Sequence, residues 1–290
     1  MSVTSRFREL IERSEILPAM GGYDALSARL IEQAGGEVVY MSGSSVSTSV
    51  HGYPDVGLTT MTEMVDRARG MAGAVDVPVF CDADTGYGNP VNVVRTVEEY
   101  ERAGVAGVHI EDQTFPKKCG HFEEKGVVGT GEMVGKIRAA TDAREDDDFV
   151  VIARTDAVAV EGFDAAVERA EAYLDAGADV LFVEAPTDRE ELERVGETFP
   201  DVPLVANMTE GGKTPLFTAS EFEAMGYDVV LYPATGFKTA AKAMQELYAE
   251  IAETGTQAGM MDRLVSWEGR NEITGLDEVV ELERRYASDE

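Results

Sequence analysis

The chain has 290 residues, 44% of them hydrophobic, and its 55 acidic against 25 basic side chains give a formal charge of −30. That length and apolar share support a full buried core and exclude intrinsic disorder, while so negative a chain is repelled by nucleic acid and by anionic membrane surfaces. Two cysteines, Cys81 and Cys119, exclude a disulfide framework and point to a reducing, cytoplasmic compartment. The charged N-terminal segment does not look like a secretory signal, and no run reaches the roughly 18 apolar residues of a membrane span. Acidic residues recur on nearly every expected helix, as on the cytoplasmic proteins of halophiles, where salt screens the self-repulsion.

Along the chain a helix-to-strand unit repeats. EILPAM, near Ile16 to Met20, is the first apolar run. Ala34-Gly35, Ala103-Gly104, Ala176-Gly177 and Met225-Gly226 each close a helical pattern, as a glycine just past a helix end does. The Val-rich runs EVVYMS, VAGVHIE, ADVLFVE and YDVVLYP follow them in turn. Two further strands open with Asp-Val-Pro, DVPVFCD and DVPLVAN, and FVVIAR ends at Arg154. All eight runs are continuous rather than alternating, as expected of strands buried on both faces. Helical spacing lies between them, for example Met133, Ile137 and Ala140, or Phe163, Val167, Ala170 and Leu174.

Eight strands alternating with helices over about 250 residues predict a (β/α)8 TIM barrel. The absence of a Gly-rich dinucleotide fingerprint after the first strand argues against an open doubly wound sheet. No Pro/Gly/Ser-rich linker divides residues 1–290, so a single domain is expected. From about 255 a C-terminal helical extension would pack on the barrel or on a neighbouring subunit.

In a barrel, the residues at strand C-termini converge on one face, which carries the chemistry. Those residues are Ser42, Asp82, Asp84, Glu111, Arg154, Glu184 and Asn207. Four carboxylates around one mouth repel one another unless a cation or proton compensates. Asp82 and Asp84, separated by one alanine, with Glu111 from the next strand, form an oxygen-rich site suited to Mg2+ or Mn2+. The alternative is a turn in which an aspartate caps a helix. Arg154 offers a fork for a substrate carboxylate, or else a buried ion pair. PKKCGHF, Pro116 to Phe122, lies in a stretch long enough to act as a lid. Lys117 and Lys118 beside Cys119 favour its thiolate and a proton-transfer role, while His121 tunes or caps the loop.

At these residues the sequence resembles the isocitrate lyase and phosphoenolpyruvate mutase superfamily. The matching segments are YMSGSSVS, the Asp of GYPDVGL, DADTGYG, HIEDQ, KKCGH, ARTDA, LFVEA, NMTEGGKTP and LYPATGF, in order from Tyr40 to Phe237. The Lys-Lys-Cys-Gly-His loop is similar to the lyase branch, and the NMTE, TPLF and LYP segments look more like its methylisocitrate lyases. The resemblance implies Mg2+ (or Mn2+) on Asp82 and Asp84 with Asp55 and Glu111 assisting. It implies Ser42, Gly43 and Ser44 at the pyruvate-like end of a tricarboxylate and Arg154 on its carboxylate. Cys119, Gly120 and His121 would lie on the closing loop, and Glu184, Asn207 and Thr209 would hold the succinate-like end. Arg270 of the tail would contact substrate. Lys238 stands where the family carries arginine, replacing a fork by a point charge.

The implied reaction is cleavage of 2-methylisocitrate to pyruvate and succinate by a homotetramer. Cys119 would protonate the leaving carbanion, and Tyr40, His109 or a metal-bound hydroxyl would serve as base. Isocitrate cleavage and phosphoenolpyruvate mutase-like chemistry are the alternatives.

Overall fold

The computed structural model describes residues 1–118, 120 and 125–287. Its elements run α1 (Val3–Ile11), β1 (Leu17–Gly22), α2 (Ala25–Gln33), β2 (Val39–Met41), α3 (Gly43–His51), α4 (Met61–Ala72) and β3 (Val79–Asp82). Next come α5 (Pro90–Arg102), β4 (Gly107–Glu111), α6 (Thr130–Ala143), β5 (Val150–Thr155), α7 (Val158–Glu161) and α8 (Phe163–Asp175). β6 (Val180–Val183), α9 (Arg189–Thr198), β7 (Val205–Asn207), α10 (Ala219–Ala224), β8 (Val229–Tyr232) and α11 (Thr235–Thr254) follow. A 3₁₀ turn (Ala258–Arg263), α12 (Trp267–Thr274) and α13 (Leu276–Tyr286) complete the chain.

All strand pairs are parallel, in the order β6-β5-β4-β3-β2-β1-β8-β7, and a parallel bridge from Leu181 to Leu204 links the two ends. This is the expected (β/α)8 barrel. The four glycines read as helix stops lie just past α2, α5, α8 and α10, and Gly35, Gly104, Gly177 and Gly226 all have φ between 85° and 107°. That left-handed conformation is open to glycine at little steric cost, so each helix can turn sharply into its strand.

Period-two alternation sorts the strands into two cores. Outward residues such as Cys81, Val108, Ile110, Val151 and Ala153 pack beneath the helices. Inward residues, including Tyr40, Phe80, Ile152, Phe182, Val205 and Leu231, fill the barrel with Phe7, Leu10 and Ile11 of α1. An aromatic column runs up this interior. Phe7 stacks on Phe80 at 5.0 Å, Phe80 meets Tyr40 at 5.1 Å, Tyr40 meets His109 at 5.7 Å, and His109 meets Phe182 at 5.7 Å edge-on. Above it the same inward register continues as Ser42, Asp82, Glu111, Arg154, Glu184 and Asn207.

Helix α8 departs from the expected apolar stripe. Its buried face is Ala166, Arg169, Ala170 and Tyr173, whereas Phe163, Val167 and Leu174 are only half-buried. Asp112 draws the polar pair inward: Tyr173 Oη donates to its Oδ2 at 2.7 Å, and Arg169 Nη1 lies 3.4 Å from the same atom.

The chain forms two compact units, Met1–Phe237 and Lys238–Glu290. The second unit carries α12 and α13. Within it Arg263 pairs with Glu246 at 2.7 Å, and the Arg270 guanidinium lies 4.6 Å from the Trp267 ring centroid. Its side chains Tyr248, Val265, Trp267, Val279, Leu282 and Tyr286 are exposed. No helix among the described residues is long and apolar enough to cross a membrane.

Candidate active site

The residues at the strand ends meet in one cavity of the first unit. Tyr40, Ser42, Ser44, Asp55, Asp82 and Glu111 line it together with Lys117, Lys118, Gly120, Arg154, Glu184, Asn207, Thr209, Pro233 and Ala234. Ser42 caps α3, accepting from Ser45 N at 3.4 Å, so the start of that helix opens at the mouth. Gly43 touches the acidic floor closely: a Cβ there would stand 2.5 Å from Asp82 Oδ2. Gly43→Ala should keep α3, since alanine favours a helix, while crowding against buried Asp82 lowers the thermal midpoint by a few degrees. It should also lower kcat/KM about 10²-fold, the usual effect of displacing a reacting group by about 1 Å. Steady-state kinetics beside a melting curve tests this.

The Asp82–Gly86 turn is held tightly. Asp84 has φ 47°, a left-handed conformation uncommon outside glycine. The Asp84 amide donates to Asp82 Oδ1 at 2.9 Å, which sets the two carboxylates side by side. Glu111 N donates to Asp84 O at 2.9 Å, tying the ends of β3 and β4 together.

The acids bear the cost of their burial. Burial raises the Asp84 carboxyl to about 6, against the pull of Lys117 and with the help of Asp82 and Asp55. Burial also drives Glu111 well above the carboxylate range despite the neighbouring Arg154. The compensating cation is Lys117. Its ammonium is 2.5 Å from Asp55 Oδ1 and 2.8 Å from Asp84 Oδ1, and with Asp82 and Glu111 these carboxylates keep it protonated although burial opposes it. The sequence sets Lys117 near Cys119, which lies outside the described residues; among the described ones Lys117 pairs with the carboxylates of Asp55 and Asp84.

Arg154 is partly engaged. Nε and Nη2 donate to the two carboxylate oxygens of Asp156 at 2.8 and 3.2 Å, Glu111 lies 3.4 Å away and Glu184 3.7 Å, and Phe182 lies beneath the guanidinium at 5.0 Å. Asp156 is held below its ordinary range because Arg154 and Lys125 more than offset its burial. Lys125 Nζ lies 2.6 Å from Asp156 and 2.6 Å from the Gly120 carbonyl. Across the mouth Asn207 Nδ2 donates to both oxygens of Glu184 at 3.1 and 3.2 Å, and Thr209 donates to Asn207 Oδ1 at 3.0 Å.

Below the cavity Tyr40 Oη and His109 Nε2 share a hydrogen bond of 2.9 Å, with Asp82 Oδ1 3.6 Å from the same nitrogen. Burial lowers His109 to about 4, so it is neutral near pH 7. Burial and Asp82 drive the Tyr40 phenol well above its usual 10.

The donor set fits a hard divalent cation. Glu111 Oε1 is buried without a hydrogen-bond partner among the described residues, and the surrounding ligands are oxygens. Among the described residues no three carboxylates converge as direct ligands.

Cys119 and His121 lie outside the described residues. Lys238 and Arg270 belong to the second unit. Sequence reasoning missed Asp112, Asp156, Lys125, Lys136, Arg169 and Tyr173. Two of them carried a signal, because Lys136 and Arg169 fall on otherwise apolar helix faces.

The family described as phosphoenolpyruvate phosphomutase matches residues 7–252. The chain is 48% identical over 288 residues to 2,3-dimethylmalate lyase of Eubacterium barkeri, covering 99% of each. It is 48% identical over 258 residues to probable 2-methylisocitrate lyase 1 of Corynebacterium glutamicum, covering 89% of this chain and 84% of that one. The crystal structure of phosphonopyruvate hydrolase with oxalate and Mg++ superposes with a TM-score of 0.89 at 33% identity, covering 99% of both chains. The barrel and its acidic mouth thus define an enzyme, and the chain belongs to the phosphoenolpyruvate mutase and isocitrate lyase superfamily. Within it the chain is of the carbon–carbon lyase type.

Proposed function

We propose that this enzyme is a Mg2+-dependent lyase cleaving 2-methylisocitrate to pyruvate and succinate, with Mn2+ as a substitute ion. The observation that carries this reading is that Asp55, Asp82 and Glu111 line one cavity with Arg154 and the neutral donors of Ser42, Asn207 and Thr209, while Asp84 joins them through Lys117 at 2.8 Å. Asp82 and Asp84 would hold the ion, with Asp55 and Glu111 assisting through water. When bound, it would supply Lewis acidity toward the keto-acid end and a template for its oxygens.

Ser42, Gly43, Ser44 and Arg154 bind the pyruvate-like half, and Glu184, Asn207 and Thr209 the other, with Gly120 on the same cavity; substrate contacts for His121, Lys238 and Arg270 are assigned by the family resemblance alone. The base that takes the substrate's hydroxyl proton is assigned to the Tyr40–His109 pair, which shares a hydrogen bond of 2.9 Å, with Tyr40 on the cavity wall. The bond between C2 and C3 breaks, its electron pair staying with the succinate fragment. Cys119, assigned by the family resemblance, protonates that carbon. Lys117 protects the charged floor and orients Asp55 and Asp84. The exposed apolar side chains of the second unit support a homo-oligomer, a tetramer on the family pattern, which light scattering coupled to size exclusion tests.

A second reading is favoured by the relative that spans the whole chain: 2,3-dimethylmalate as substrate. The two substrates share a methyl-bearing hydroxy acid and differ in the third carboxylate. A panel of 2-methylisocitrate, 2,3-dimethylmalate and isocitrate, assayed in high KCl with and without EDTA, decides between them. The expected result is EDTA-sensitive pyruvate release, fastest from 2-methylisocitrate and lost in Cys119→Ser. Preference for another substrate overturns the specificity, and EDTA-insensitive turnover overturns the metal reading.

A pH dependence follows from Asp84. Below about 6 its carboxyl takes a proton that competes with the ion. Mn2+ affinity measured by calorimetry should therefore fall by up to about tenfold per unit below pH 6 and level off above it.

A further inference from the structure

Lys136 is a lysine whose side chain goes inward from the middle of α6. It is 2% exposed, and its ammonium donates to the carbonyl of Thr85 at 3.0 Å, with Glu132 3.8 Å away. Burying an ammonium to satisfy one carbonyl is expensive, and burial does lower this amine's pKa. The carbonyl concerned lies one residue beyond Asp84.

Every carbonyl of the turn from Asp82 to Gly86 has a named donor. Tyr100 Oη donates to Asp82 O at 3.1 Å, Gly86 N to Ala83 O at 2.9 Å, Glu111 N to Asp84 O at 2.9 Å, Lys136 to Thr85 O, and Thr96 Oγ1 to Gly86 O at 3.0 Å. Lys136 supplies the only charged donor among them. The turn it holds is strained: Asp84 has φ 47°, and Tyr87, one residue past the turn, has φ 57°. Without that donor a buried carbonyl is left unsatisfied, and the turn gains reason to relax.

From this geometry we propose that Lys136 is a positioning residue of the cation site: by anchoring Thr85 it fixes the left-handed conformation that sets Asp84 against Lys117 beside the cavity. The inference rests on the reading of Asp82 and Asp84 as cation ligands. Charge and position predict opposite signs here. Removing a nearby positive charge would by itself tighten cation binding, whereas loosening the turn weakens it.

The test is Mn2+ binding without substrate, by calorimetry at pH 7.5 on the intact protein, for the unmodified chain, Lys136→Met and Lys136→Arg. The expected result is at least tenfold weaker binding in Lys136→Met, with a circular dichroism spectrum like that of the unmodified protein, and most of the affinity restored in Lys136→Arg. Unchanged or tighter binding in a folded Lys136→Met overturns the proposal. Should Lys136→Met not fold, Lys136→Gln replaces it on the same criterion. No saturable Mn2+ uptake by the unmodified protein would overturn the cation site itself, a failure distinct from that of Lys136 alone.

Discussion

Asp84→Asn should lower kcat/KM by about 10³-fold while leaving the protein at least as resistant to heat in EDTA as the unmodified chain. Loss of metal-assisted polarisation amounts to several kcal/mol of barrier, and about 4 kcal/mol corresponds to 10³. Stability should not follow activity, for three reasons. The Asp84 carboxyl is buried and its pKa is raised to about 6, so its charge is held against an unfavourable environment. Its backbone is left-handed at φ 47°, a conformation asparagine tolerates well. Lys117 retains Asp55 as its partner. Kinetics with Mg2+ and a melting curve in EDTA make the check. Loss of activity together with a large loss of stability would show that Asp84 serves the fold and not the ion.

Arg154→Lys should affect both properties. Lysine keeps the charge but cannot span the two oxygens of Asp156, and it removes the planar group lying over Phe182. Asp156, Glu111 and Glu184 then share a cation that reaches fewer of them. Breaking a buried ion pair costs about 3–5 kcal/mol when a partner is lost outright. Because lysine keeps the charge, half that cost, about 2 kcal/mol, is expected, and the thermal midpoint should fall by roughly 4–8 °C at 2–4 °C per kcal/mol. With the substrate's carboxylate no longer met by a fork, kcat/KM should drop about 10²–10³-fold. A variant as active as the parent would assign Arg154 to the ion-pair network alone.

Much of the barrel was legible because its signals are local. A glycine after each of four helices and a continuous Val-rich run after each glycine locate strands without knowledge of their neighbours. Counting to the strand ends then finds Ser42, Glu111 and Glu184, since inward residues alternate and the last one faces the mouth. What escaped was polar and long-range. Asp112 lies 57 residues from Arg169 and 61 from Tyr173. Arg169 on an otherwise apolar face of α8 is a hint of a buried partner, but nothing nearby in sequence names Asp112 or says that Tyr173 joins it in displacing Val167 and Leu174 from the buried face. Lys136 is the same case, since an apolar stripe hides a lysine until the carbonyl that needs it is seen. Lys117 illustrates a third limit. Its neighbours in sequence suggested a thiol, but the chain folds its ammonium back onto Asp55, 62 residues away. The join between the two units also left no mark, because it falls within the unbroken helix α11.

The aromatic column has a consequence for how the chemistry is insulated. Phe7 sits beneath Phe80, whose strand places Asp82 two residues later, and the column ends under Arg154. The first helix therefore acts as a stopper that denies bulk solvent a path along the barrel axis from below. Ion pairs at the top owe part of their strength to that dry shaft. A chain shortened past Phe7 would keep every residue at the strand ends, and its thermal midpoint should fall as the base of the apolar column opens to solvent.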